Sequence, residues 1–161
     1  MLNIRPATKD DVGLILEFIY ALAVYEREPH SVKATEADLL RDGFGTEPRY
    51  RCLIAEYDGK PAGFALYFYN YSTWRGRAGI YLEDIFVKPE FRKRGIGKAL
   101  LLHMAKLAVE QQCGRFEWAV LDWNKPAIDF YESLGAVRMS EWIPMRAEGE
   151  ALKKMAELAQ Q

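Results

Sequence analysis

The sequence predicts an α/β (α+β) fold, one mixed, splayed β-sheet flanked by helices in a single domain over residues 1–161. Three observations predict it. Helically spaced apolar runs and runs of β-formers follow one another irregularly, in the order β, α, α, β, β, β, α, β, α, β, α, which is not Rossmann alternation. Asp58-Gly59, set between two β-rich runs, is the strongest short-range hairpin signal in the chain. A glycine turn at Gly95-Ile96-Gly97 joins a mid-chain strand to a long amphipathic helix.

The first strand is short, residues 3–6. Thr8 is a good N-cap, and Asp10 and Asp11 favour the positive end of the helix dipole, so a helix runs to about Tyr25 on Leu14, Ile15, Phe18, Ile19 and Leu22. Residues 26–31 read as a loop because Pro29 has no N–H to give a helix. Thr35 with Asp38 opens a second helix, closed by Gly43 and Gly45. Strands follow at 51–57, 61–71 and 80–87, the last ended by Pro89. The helix at about 98–112 buries Leu100, Leu101, Met104, Leu107 and Ala108, and turns Ala99, His103, Lys106 and Glu110 outward. A strand at 115–121, a helix at 124–134 stopped by Gly135, a strand at 137–145 and a helix at about 148–161 complete the order.

Composition removes several functional classes. Half of the residues are apolar and 13% aromatic, enough for a core and too many for a disordered chain. Lys plus Arg is 22 and Asp plus Glu 23, a net charge of −1, which argues against nucleic acid as a partner. Two cysteines, two histidines and no CxxC argue against a metal site, and Cys52 and Cys113 read as buried reduced thiols. No apolar run approaches the ~18 residues of a membrane span, and the N-terminus has no signal-like core. A cytoplasmic protein with no membrane role is the expectation.

The segment that carries chemistry is strand–RKRGIG–helix. Arg92, Lys93, Arg94 and Lys98 bring four positive charges to the positive end of a helix whose first-turn N–H groups are free, an arrangement that suits a phosphate. A Walker loop is excluded because Arg92 and Ala99 stand where it needs glycine and Ser or Thr. A dinucleotide fingerprint is excluded because Leu100 stands where its third glycine belongs.

Arg92-Lys93-Arg94-Gly95-Ile96-Gly97 resembles the R/Q-x-x-G-x-G/A motif of the GNAT acetyltransferases, whose backbone amides grip the pyrophosphate of coenzyme A. A second block, Asn124-Lys125-Pro126-Ala127 with Phe130-Tyr131-Glu132 and Gly135, resembles the later conserved block of that superfamily. Within it, residues 4–8, 38–45 and Tyr81-Leu82-Glu83-Asp84 resemble the spermidine/spermine (diamine) acetyltransferases. The resemblance implies one N-acetyltransferase domain with a seven-strand-type sheet, acetyl-CoA lying between the strands at 80–87 and 115–121, and a homodimer. It also implies a small-molecule amine as substrate. Backbone pairing with the pantetheine arm then falls to Ile85, Phe86 and Val87, and pyrophosphate binding to the backbone of Arg92, Lys93, Arg94, Gly95, Ile96, Gly97 and Lys98.

Acyl transfer to an amine needs a base for the ammonium and a proton for the departing thiolate. Glu83 is the expected base, with Asp84 beside it; alternation puts the two on opposite faces unless a bulge intervenes. Tyr131, whose phenol has an ordinary pKa of ~10, is the expected acid. Asn124 can cap its helix and meet the pantetheine. Glu26, Glu28, Glu83 and Asp84 form an expected acidic rim for a cationic acceptor, with Glu141 as a further carboxylate. Trp74, Tyr81 and Trp142 are expected to face its alkyl or ammonium part. Arg75 and Arg77, where the diamine group carries acid, would suit an amine that also bears a carboxylate, such as lysine or thialysine. The competing readings are a protein lysine or N-terminal acetyltransferase and a coenzyme A-binding regulatory module.

Overall fold

The fold follows from how each element is ended and paired. A computed structural model describes residues 1–159. Thr8 forms a capping box with Asp11: the Asp10 N–H donates to Thr8 Oγ1 at 3.3 Å, and the Thr8 N–H to Asp11 Oδ2 at 2.7 Å. What it caps is a 3₁₀ turn, Lys9–Asp11, and the α-helix α1 (Val12–Tyr25) starts only after it. Arg5 of strand β1 (Leu2–Pro6) grips the same Asp11 at 2.9 and 3.1 Å, tying strand to helix. Helix α2 (Glu36–Phe44) opens on the expected Thr35–Asp38 box.

Strands β2 (Arg51–Tyr57) and β3 (Lys60–Ser72) meet in the Asp58-Gly59 hairpin, both turn residues having positive φ. Strand β4 (Arg77–Val87) returns along β3. Helix α3 (Ile96–Glu110) then carries the chain back to β5 (Phe116–Trp118), which pairs parallel to β4. The sheet order is β1-β2-β3-β4-β5, and the other three pairs are antiparallel. One face carries a core of Ile15, Phe18, Leu22, Leu39, Cys52, Ile54, Phe64, Leu66 and Phe86. Helix α3 buries Ile96, Leu100, Leu101, Met104 and Ala108.

The chain divides into two compact units, Met1–Leu121 and Asp122–Gln161. The second holds α4 (Lys125–Ser133) and α5 (Gly149–Glu157). Gln160 and Gln161, the end of the expected terminal helix, lie outside the described residues.

Three expectations need correction. Residues 137–145 are not a strand, so the six strands read along the chain become five among the described residues, fewer than the seven that the resemblance implies. The Trp142 N–H donates to Met139 O at 3.0 Å and closes a turn, Pro144 has no N–H for a ladder, and Arg138 is drawn to Glu132 at 3.0 Å. Strand β5 is three residues long, not seven. Cys52 is buried and Cys113 only half-buried, though both are free thiols. Among the described residues no helix is long and apolar enough to cross a membrane.

Candidate active site

The site is organised by one extra residue in β4. The β3–β4 register steps from Leu66↔Asp84 to Tyr67↔Leu82, which leaves Glu83 unpaired as a β-bulge. Leu66 and Tyr67 face opposite sides of the sheet, so Leu82 and Asp84 do too, although they are two residues apart. Leu82 is buried opposite Tyr67, whereas Asp84 joins Leu66 and Phe86 on the α1 face. Cys52, Leu66 and Asp84 thus form a cross-strand row. The alternation rule alone separates Glu83 from Asp84; the bulge is what lets both carboxylates serve one place.

The carboxyls act on one another. Burial, reinforced by the charges of Glu83 and Glu26, lifts the Asp84 carboxyl to about 7. Glu26, the C-cap residue of α1, is raised by burial and by Glu83. Tyr81 is raised by burial and by Glu83 and Glu117. Cys52 is pushed up to about 12, first by burial, and is therefore an unreactive thiol. Glu26, Tyr81, Glu83 and Asp84 are accordingly brought together.

Other expected residues go elsewhere. Glu28 is engaged within its own loop, 3.2 Å from His30 Nε2 and accepting from Ser31 Oγ at 3.2 Å. Trp74 lies in the β3–β4 turn, 79% exposed, with the Arg115 guanidinium 6.0 Å from its ring. At ~3.3 Å per residue that turn is ~20 Å along β4 from Glu83. Arg75 packs on Gly114, and Arg77 donates to Gln112 O at 3.3 Å. Arg77 thus serves the negative end of the α3 dipole, and both arginines stand at the other end of β4 from the acids, so the expected acceptor-carboxylate contact is corrected.

Beyond Leu82, β4 has no partner on its β5 side among the described residues. The Lys88 N–H donates to Ala62 O at 2.8 Å, so the trans peptide points the Val87 carbonyl to the open edge. By alternation Ile85 presents its N–H and C=O there too, while the backbone of Phe86 is spent on β3 and its ring on the core. Of the three residues expected to pair with a ligand, Ile85 and Val87 face outward.

The edge leads into the glycine loop. Lys93 (φ 64°) and Gly95 (φ 76°) are both left-handed, and no side chain caps α3 at Gly95. A Cβ at Gly97 would meet only Val87 Cγ2, at 3.7 Å. Packing therefore does not demand a glycine there, and its missing side chain leaves room above the free N–H groups of Ile96, Gly97 and Lys98. This is a cradle that a pyrophosphate fits. The charges are less available than the sequence implies. The Arg94 guanidinium lies 5.0 Å from the Tyr57 ring, and Arg92 donates from Nε to Val87 O at 3.0 Å.

In the second unit, Asn124 Oδ1 accepts from the Ala127 N–H at 3.4 Å and caps α4. Tyr131 is half-buried on α4, its ring 5.6 Å from that of Phe130. Glu141 and Trp142 are exposed in the turn that follows.

A sheet whose parallel pairing ends beside a bulge, followed by a glycine turn into a helix, defines the class: this is a GNAT-fold N-acetyltransferase. The profile of the Acetyltransferase (GNAT) family matches residues 16–136, and the chain belongs to that family, whose members use acetyl-CoA. The chain is 46% identical to a thialysine N-epsilon-acetyltransferase of Sus scrofa over 164 residues, 95% of this chain and 96% of the relative. It is 33% identical to an L-ornithine N5-acetyltransferase of Arabidopsis thaliana, over 97% of this chain and 88% of that one. Among solved structures, an integron cassette protein from the mobile metagenome of V. cholerae superposes with a TM-score of 0.80 at 28% identity, covering 97% of this chain and 98% of that one.

Proposed function

We propose that residues 1–161 act as one catalytic domain that acetylates the side-chain amine of a small amino acid of the lysine, thialysine or ornithine type. The observation that carries the reading is the trio Glu26, Glu83 and Asp84 gathered at the bulge, beside the open edge and the glycine cradle. The relatives named for thialysine and ornithine support the substrate class.

Acetyl-CoA supplies the thioester that the amine attacks. In this reading the open edge at Ile85 and Val87 aligns the pantetheine, and the Ile96–Lys98 amides hold the pyrophosphate. Asp84 takes a proton from the ammonium. With its carboxyl lifted to about 7 it is a better proton acceptor than an ordinary carboxylate, and still partly ionised at neutral pH. Glu83 and Glu26 attract the cation and keep Asp84 basic. Tyr131 supplies the proton for the thiolate. The test is free-thiol release from acetyl-CoA with thialysine, lysine, ornithine and spermine. The expected kcat/KM is highest for one of the amino acids; a preference for spermine overturns the substrate class.

A homodimer in the cytoplasm completes the proposal. The exposed Val137, Ile143 and Met145 of the second unit and the two free cysteines are in keeping with it. Sedimentation equilibrium giving a monomer at micromolar protein would rule out the dimer.

A further inference from the structure

Arg92 opens the glycine motif, yet its side chain does not point its charge into the cradle. Its Nε donates to Val87 O at 3.0 Å, on the last carbonyl of the open edge of β4. Its guanidinium carbon sits 5.3 Å from the Tyr25 ring centroid and 5.4 Å from that of Phe86. Among the described residues it has no carboxylate within 4 Å. Tyr25 is the last residue of α1 and Phe86 belongs to the core that α1 covers. One planar cation therefore ties together the end of β4, the start of the loop and the end of α1.

The next residue after Tyr25 is Glu26, whose N–H donates to Leu22 O at 2.8 Å and whose carboxyl feels Glu83. We infer that Arg92 is a positioning residue that couples the cofactor loop to the acceptor-side acids through Tyr25. When a ligand orders the loop, the clamp holds the end of α1 and fixes Glu26 beside the bulge. Coenzyme A and acceptor then bind with positive cooperativity, because the second ligand meets an end of α1 that is already ordered. This rests on the proposed function for the identity of the acceptor and for the seat of coenzyme A on the glycine loop.

The geometry says which substitutions separate this role from direct phosphate binding. Arg92→Lys keeps the charge but loses the planar fork and the two-ring stack. Tyr25→Leu leaves Arg92 in place and removes the ring that passes the effect to α1. Both variants are first checked for native circular dichroism. Hydrogen exchange is then followed at the Glu26 and Glu28 amides, with and without coenzyme A, and acceptor KM is measured in parallel.

In the wild type, coenzyme A slows exchange at these amides. In Arg92→Lys and in Tyr25→Leu exchange is about 5- to 10-fold faster without ligand, coenzyme A no longer slows it, and acceptor KM rises by a similar factor. The double variant is no worse than either single one. The inference is overturned if Arg92→Lys leaves exchange at the end of α1 unchanged. It is equally overturned if Tyr25→Leu has no effect while Arg92→Ala only weakens coenzyme A, the signature of a phosphate ligand. The exchange readout needs no acceptor, so a wrong substrate class and a wrong clamp give different results.

Discussion

The two ends of β4 carry opposite charge and opposite duties. Its first half is paired with β3 and, over Ile80–Leu82, also with β5, and Arg77 at its start donates to Gln112 O just past the end of α3. Its last residues are paired on one side only, and there the bulge, the carboxylates and the glycine loop gather. In the proposed mechanism one strand is thus structural where its hydrogen bonds are complete and chemical where they are not. A run of residues has room for a ligand where the sheet stops using its backbone.

The largest expected effect is at the chemical end. Asp84→Asn removes the raised carboxyl and should lower kcat by ~10²–10⁴-fold while coenzyme A affinity, measured by calorimetry, stays within about 2-fold. The same variant has a stability signature of known sign. A carboxyl whose folded pKa is raised binds its proton more tightly in the fold, so its contribution is lost as pH rises from about 4 through 7. Asp84→Asn should therefore melt on the order of 5 °C above the wild type at pH 8 and show little difference at pH 4. A variant that keeps its activity breaks the contrast between the two ends.

Next comes the cradle. Gly97→Val should fold normally, since a Cβ there meets only Val87 Cγ2 at an ordinary contact distance, yet weaken coenzyme A by about 10- to 100-fold by filling the space above the α3 amides. Unchanged affinity would place the pyrophosphate elsewhere.

The smallest effect belongs to the structural end. Arg77→Ala loses its bond to Gln112 O and its favourable place at the α3 terminus, lowering Tm by about 2 °C with kcat/KM unaltered. A changed acceptor preference in this variant would restore the arginines to the site.

The sequence makes local devices legible: the Thr8–Asp11 and Thr35–Asp38 boxes, the Asp58-Gly59 hairpin and the buried stripe of α3 all depend on residues a few positions apart. Glu83, Asp84 and Glu26 are likewise nominated by their residue type. What it hides depends on register and distance. The bulge depends on how β3 and β4 align, and it sets Asp84, the neighbour of the expected base Glu83, where burial lifts its carboxyl to about 7. Four neighbouring cations look like a phosphate site in sequence, but Tyr25 and Tyr57, distant along the chain, together with the nearer Phe86, claim two of them. The expected strand at 137–145 fails on a turn and a proline that composition alone underweights.

In the proposed mechanism the bulge sets Asp84 among like charges as the proton acceptor. Its carboxyl can be titrated directly by carbon-13 NMR, in the wild type and in Glu83→Gln. The expected midpoint is near 7 in the wild type, and lower once the Glu83 charge is gone. A wild-type midpoint near 4, unmoved by Glu83→Gln, would contradict it.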